Sequence, residues 1–424
     1  MFVPDVFALD FILPADWIPL VYGGTAAVCA AVTSAFVHPH RSESADLETV
    51  KSRIAELEKI PNCSLEQTDE LADLYNIWAA ERAAAGAEIG ELTPIFDKAE
   101  AVLQNALKFG DDEQLRRQLG NVMLNRAVVQ QDLGHPEAAA DSYKKVLAIL
   151  KPLDDAGDGE AKLDVAGAKL NLGIIYRDLD RFEEAKTVFD ESFLTFRAVE
   201  KIGVFDTRYY MAKVSVQQGG VLAEMGEPLE QITDAYNRAM RLYVEVIEDL
   251  QQVELERDLA NVLLDRCREI HEDWLVREFP SDDERDQRIA DVILDVRRGI
   301  ELLEKQCQAG NKEARYDLLD AVALQGRILC DASKYDEAKH ALDRAINEFA
   351  DLLQENDDVV LMQTAMVYAN RAVVQIGLGD KEASKQDCQK GSELINTLIQ
   401  SGSHEDNDIR DLKEQFQALI EQLK

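Results

Sequence analysis

Glycine and proline are scarce in this 424-residue chain, at 22 and 10 copies. That scarcity argues against a fold of many short strands joined by tight turns. Strong helix formers (Ala, Leu, Glu, Gln and Arg) crowd the middle and C-terminal parts, so the fold class reads as all-α. Basic residues are also short, 46 Lys and Arg against 81 Asp and Glu, for a net charge of −35. Such a surface repels phosphate backbones, which excludes nucleic acid and favours a basic or neutral protein partner. The six cysteines, Cys29, Cys63, Cys267, Cys307, Cys330 and Cys388, form no CxxC pair, and no histidine stands at zinc-ligand spacing from them. They read as small buried hydrophobes of a reducing compartment.

Chemistry is missing in the same way. No phosphate-binding loop, dinucleotide fingerprint, nucleophile elbow or HExxH pair occurs. The stretch "DDAGDGEAKLDV", residues 154–165, has a glycine where a calcium loop needs one, but Ala156 and Val165 stand where acidic ligands are required. The histidines are scattered, and "HPH" at 38–40 offers two ligands with no third nearby. No catalytic residue, cofactor or metal is therefore assigned, and the chain is expected not to be an enzyme. A hydrolase built into a repeat groove is the weakest of the readings.

Long charge-free runs are rare too, with one exception. "WIPLVYGGTAAVCAAVTSAFV", residues 17–37, has no charged side chain and is long enough for a single membrane span. Acids precede it, and Arg41, Lys51 and Arg53 follow it. That bias places the rest of the chain in the cytoplasm if the segment is an anchor. A cleaved export signal, or a hairpin packed on a soluble domain, are the alternatives. The organisation reads as a hydrophobic segment at 1–41, a linker at 42–63, a helical repeat domain at 64–400 and a capping helix at 401–424.

What the chain has in quantity is repetition. "NRAVVQQDLG" at 125–134 returns as "NRAVVQIGLG" at 370–379 with eight of ten letters kept, the mark of a structural unit used more than once. "LNLGIIYRDLDRFEEAKTVFDESF", residues 170–193, places Leu172, Gly173 and Tyr176 before a turn, then Phe182, Ala185 and Phe189 after it. Further segments fit the phase, with first small positions at Ala127, Gly173, Gly220, Gly326 and Ala372 and a divergent unit near Cys267. Ser64–Gln67 and Ser281–Glu284 have capping-box spacing and should start helices.

These segments resemble the tetratricopeptide repeat, in a long variant of about 46 residues per unit against the usual 34. The resemblance implies a right-handed α-solenoid of antiparallel helix pairs, with a concave wall lined by the first helices. It also implies a scaffold or adaptor that holds a peptide or partner protein there, or a ligand-sensing regulatory arm of a signalling or assembly complex. A polar residue just before the Leu-Gly position would read the partner's backbone. That residue is Asn125, Asn171, Asn370 or, in the third unit, Gln218, since amides both donate and accept. Gln131, Arg177 and Arg327 are expected on the same wall. Arg126 and Arg371 stand where the family commonly has Leu. Whether their guanidinium groups reach solvent or a ligand is left open.

Overall fold

The structure, a computed structural model, describes residues 47–203, 205–276, 281–348, 350, 352–355, 358–400 and 407–423. The charge-free run at 17–37 lies outside them. Among the described residues no helix is long and apolar enough to cross a membrane.

The described residues form sixteen α-helices and no strand, in two compact units that divide between Glu227 and Pro228. The first unit holds α1 (Leu47–Leu57), α2 (Leu65–Ala84), α3 (Ile89–Leu107), α4 (Glu113–Asp132), α5 (Pro136–Asp155), α6 (Gly159–Asp178), α7 (Phe182–Ile202) and α8 (Arg208–Glu224). The second holds α9 (Leu229–Leu250), α10 (Glu256–Val276), α11 (Asp282–Gln308), α12 (Glu313–Asp331), α13 (Tyr335–Glu348), α14 (Asp358–Gly377), α15 (Lys381–Gln400) and α16 (Asn407–Gln422). Within each unit every helix packs on the next. First helices also touch one another: α2 meets α4, α4 meets α6 and α6 meets α8, while in the second unit α10 meets α12 and α12 meets α14.

Local chemistry sets the helix ends. Ser64 and Gln67 form the expected reciprocal capping box at the start of α2. The Asp112, Asp158 and Ser281 side chains each accept a backbone N–H in the first turn of α4, α6 and α11, satisfying donors that a helix leaves unpaired. Six helix ends close alike. Gly86, Gly134, Asp180, Gly226, Ser333 and Gly379 all adopt left-handed backbone with φ between 57° and 80°. At each, the next N–H reaches a carbonyl five residues back, as in His135 to Gln130 at 2.8 Å and Arg181 to Tyr176 at 2.8 Å. This is the Schellman closure, and it ends a helix where the chain must reverse.

Those corners fix the phase of packing. Seven residues before each stands a buried small residue: Ala79, Ala127, Gly173, Gly219, Gly326 or Ala372. At Gly173 an added Cβ would lie 2.5 Å from the Phe189 ring, and at Gly326 it would lie 2.4 Å from Leu342. The first and second helices thus approach over a missing side chain, and the aromatic or leucine fills the place. The expected small position at Gly220 is corrected by one residue. A Cβ there would meet nothing within 4 Å, whereas Gly219 is buried and in phase with Gly226.

Part of the stretch read as a linker is also structured. Val50, Ile54 and Leu57 recur at helical spacing and are buried where α1 packs on α2, and Arg53 pairs with Glu70 at 2.7 Å. At the other end, α16 packs on α14 and α15, with the Phe416 ring over Gly391.

Candidate functional site

The residues singled out from the sequence divide into two groups. In the first group, side chains are consumed by the stack itself. Asn171 on α6 is only 3% exposed and donates to the Tyr143 hydroxyl of α5 at 3.1 Å. That hydroxyl in turn donates to Gln131 of α4 at 3.4 Å. Gln218 on α8 donates to Asp190 of α7 at 2.6 Å, and Arg177 on α6 donates to Gln217 of α8 at 2.5 Å. Asn171 and Gln218 therefore face neighbouring second helices rather than an open wall, and Gln131 and Arg177 tie adjacent helices together. In the second group, Asn125 and Asn370 are half-buried, Arg327 is exposed, and none of the three makes a side-chain hydrogen bond or ion pair.

Gln218 stands just before its small residue, and the same position ties helix pairs together in three other places. Arg126 pairs with Asp97 of α3 at 2.7 Å, and Gln218 takes Asp190 as described. Arg266, one residue before Cys267, donates to Asn237 of α9 at 2.5 Å, and Arg371 pairs with Asp343 of α13 at 2.6 Å. In every case the acceptor lies 28 or 29 residues earlier, on the preceding second helix. Arg371 also grips Asp387 of α15 through two bonds, at 2.9 and 2.6 Å. The arginines that replace the family's usual leucine are clamps between neighbouring pairs. Their stems pack and their forks close on carboxylates.

The open positions lie on a different face, which is legible from helical spacing alone. On α4, Gln114, Gln118, Asn121 and Asn125 follow one another at i, i+4, i+7 and i+11, one stripe of a helix. On α2, Asp69, Asp73 and Asn76 do the same. The Gln114 amide donates to Asp69 at 2.8 Å, so the two stripes meet where α2 and α4 lie side by side. Gln118 and Asn125 form no side-chain bond. The second oxygen of Asp69 and the amide oxygen of Asn76 are enclosed yet have no partner. The Trp78 indole N–H is unpaired as well, off the stripe by two residues.

Two further carboxyls on first helices of this unit lack a hydrogen bond or ion pair. Asp132, at the end of α4, is exposed at its rim, yet desolvation by the surrounding chain pushes its carboxyl up to about 6. Asp164, half-buried on α6, is pushed up to about 7 by desolvation. Glu160 and Asp158 add to that shift and Arg117 opposes it.

In the second unit charges pair across the corresponding seam. Arg257 of α10 bonds Asp317 of α12 at 2.5 Å and also pairs with Glu313, while Asn261 donates to Asp317 at 3.1 Å. Further along, Arg268 bridges Asp265 at 2.6 Å and Asp320 of α12. The buried His271 meets Asp331 at 2.9 Å. Burial pushes the Asp265 carboxyl up, and Arg268 works against that.

Residues 165–200, which comprise most of α6 and α7, match the family model of the tetratricopeptide repeat. That match spans one helix pair and supports a tetratricopeptide-repeat assignment. No curated protein matches it. Among solved structures, the assembly chaperone of RpL4, Acl4 (residues 1–338), is similar at 15% identity and a TM-score of 0.47, over 72% of this chain and 97% of that one. The apo form of the quorum sensor NprR from B. thuringiensis is similar at 13% identity and a TM-score of 0.45, over 94% and 98%. BtubC (BKLC) from P. vanneervenii is similar at 16% identity and a TM-score of 0.45, over 60% and 89%.

Proposed function

We propose that the chain is a non-catalytic interaction scaffold that holds a peptide or partner protein against the side-by-side first helices of its stack. The observation that carries this reading is the amide stripe of α4. Gln118 and Asn125 are spaced along one face, reach solvent, and make no side-chain bond within the chain. The stack does not use these groups itself, and its polar clamps at Arg126, Gln218, Arg266 and Arg371 sit one residue before the small position. An amide can donate to and accept from an extended backbone at once. The test is affinity capture from a lysate with the full chain, beside a Gln118→Ala/Asn125→Ala double variant. Specific proteins retained by the parent and lost by the variant are expected. Equal retention by both would overturn the reading.

We further propose that residues 17–37 tether the scaffold to a membrane with the repeats in the cytoplasm. The support is the 21-residue charge-free run and the basic residues after it. Retention of the full chain in the membrane pellet after carbonate extraction is expected, and release into the supernatant would contradict the tether.

A further inference from the structure

We infer that the α4 stripe and the start of α6 receive an extended segment of a partner protein, with two of its lysine side chains ending on Asp132 and Asp164. This rests on the scaffold reading and narrows its partner. The cations of the two helices are already committed: Arg116, Arg117 and Arg126 on α4, and Lys162, Lys169 and Arg177 on α6, each meet a carboxylate. Asp132 and Asp164 are left with no hydrogen bond or ion pair. Both reach solvent, since Asp132 is exposed and Asp164 is half-buried with neither oxygen enclosed. Asp132 continues the stripe of Gln118 and Asn125 at i, i+7 and i+14. It also ends α4, where the helix dipole opposes a negative charge. Asp164 lies 46 positions after Gln118, at the same place in the next first helix, and α4 meets α6. Desolvation pushes the two carboxyls up to about 6 and about 7, with Glu160 and Asp158 adding to the second and Arg117 opposing it. The fold gains nothing from charges so placed, whereas an ammonium group brought from outside would match each of them.

The spacing of the two carboxyls sets the spacing of the lysines. Arg117 of α4 meets Glu160 of α6, 43 positions on, at 3.0 Å. The same offset sets Asp164 level with Asn121, eleven residues before Asp132. At about 1.5 Å per residue, and about 9 Å between neighbouring axes, the two acids stand roughly 19 Å apart. An extended chain covers that distance in about six residues. Six is an even step, so both lysine side chains leave the same face of the strand, while the amides of Gln118 and Asn125 lie beside its backbone. The second unit provides the contrast. Burial pushes the Asp265 carboxyl up there too, but Arg268 of the same helix meets it at 2.6 Å.

The experiment uses the full chain and three N-acetylated Ser/Thr dodecapeptides. The first has two lysines six positions apart, the second has two lysines three positions apart, and the third is the first with both lysines Nε-acetylated. Binding is followed by fluorescence anisotropy at about 0.15 M salt, where long-range surface attraction is largely screened. At pH 8 the six-apart probe should bind about fivefold more tightly than the three-apart probe of equal charge, and more tightly still than the acetylated one. Asp132→Asn/Asp164→Asn should erase that preference. Glu88→Gln/Glu137→Gln, which alters two exposed acids elsewhere, should keep it within about twofold. The preference should also vanish at pH 5, where Asp132 and Asp164 hold their protons while an ordinary carboxyl is already ionised. Thermal melts of the double variant at pH 8 should show no loss of stability, which separates a lost site from a lost fold. Each single variant supplies a second reading should the double variant unfold. Equal binding of the two lysine spacings by the parent, or no binding of the six-apart probe, would overturn the inference. A preference that survives in the double variant or at pH 5 would overturn it too. A chain that captures specific proteins through Gln118 and Asn125 yet treats the two spacings alike would refute the lysine-bearing partner and leave the scaffold standing.

Discussion

The seam between α2 and α4 and the seam between α10 and α12 are built from the same kind of part. Each is a pair of first helices lying side by side with polar residues at i, i+4 spacing on the facing stripes. They use those residues differently. Between α10 and α12 the arginines of one helix close on the aspartates of the other, from Arg257 with Asp317 to His271 with Asp331. Between α2 and α4 the Gln114 amide reaches Asp69, and two enclosed oxygens beside it have no partner. One seam spends its polar groups on holding helices together, while at the other Gln118 and Asn125 make no side-chain bond, which is what the proposed function builds on. If the proposed function holds, stability and recognition draw on the same kind of position in the two seams.

The sharpest way to break this contrast is through the clamps, where stability should suffer in either unit. Arg371→Ala leaves Asp387, only 5% exposed in its side chain, without its cation. Removing one partner of such a pair typically costs about 3 kcal/mol or more, and the thermal midpoint should fall by roughly 6 °C or more. A melt unchanged within error would mean that the clamp is ornamental. Next comes the close approach in the first unit. Gly173→Ala forces a methyl into the Phe189 ring, an overpacking that costs about 1–3 kcal/mol. A denaturant titration should show the lower midpoint, and an unshifted one would mean that α6 and α7 are not pressed together there.

A smaller effect is expected from pH. The carboxyl of Asp164 sits at about 7 in the folded chain against an ordinary 3.8. Between those values the folded state binds the extra proton, so this group's contribution to stability falls as pH rises from about 4 to about 7 and is flat outside that window. Asp164→Asn should therefore gain on the parent at pH 8, by about 1 kcal/mol after solvent screening, and match it at pH 4. Equal melting differences at the two pH values would contradict the assigned cause. The smallest stability effect belongs to the enclosed Thr364 hydroxyl of the second unit, which has no partner. Thr364→Val should stabilise by up to about 1 kcal/mol. A loss of stability on thermal melting would show that the hydroxyl is bonded after all.

Much of the fold was legible because packing leaves a rigid spacing in the sequence. The twice-written decapeptide ends at Gly134 and Gly379, and both glycines adopt the left-handed backbone that closes a helix pair. Adjacent glycines blurred the phase in one unit. Gly219 and Gly220 look alike as letters, and only burial and the corner at Gly226 tell that Gly219 is the one in phase. The candidate site was less legible. Asn171 was assigned by its position in the repeat, but that position points at Tyr143, a residue 28 places earlier whose hydroxyl no pattern announces. The α4 stripe of Gln114, Gln118, Asn121 and Asn125 was present in the sequence at helical spacing. It becomes visible when helix faces are compared instead of repeat positions. Which polar groups remain unpaired depends on partners as much as 60 residues away, such as Asp317 for Arg257, and single-sequence spacing does not encode those pairings.

The central claim is that the α2–α4 seam is kept for a partner and not for the stack. The most direct measurement sets the thermal midpoint of Gln118→Ala/Asn125→Ala against its capture of partners, both relative to the parent chain. The account predicts a midpoint within about 2 °C of the parent, as for surface changes worth under ~0.5 kcal/mol, together with loss of the captured proteins. A midpoint lowered by many degrees with capture intact would show that these amides serve the fold and that the partner binds elsewhere.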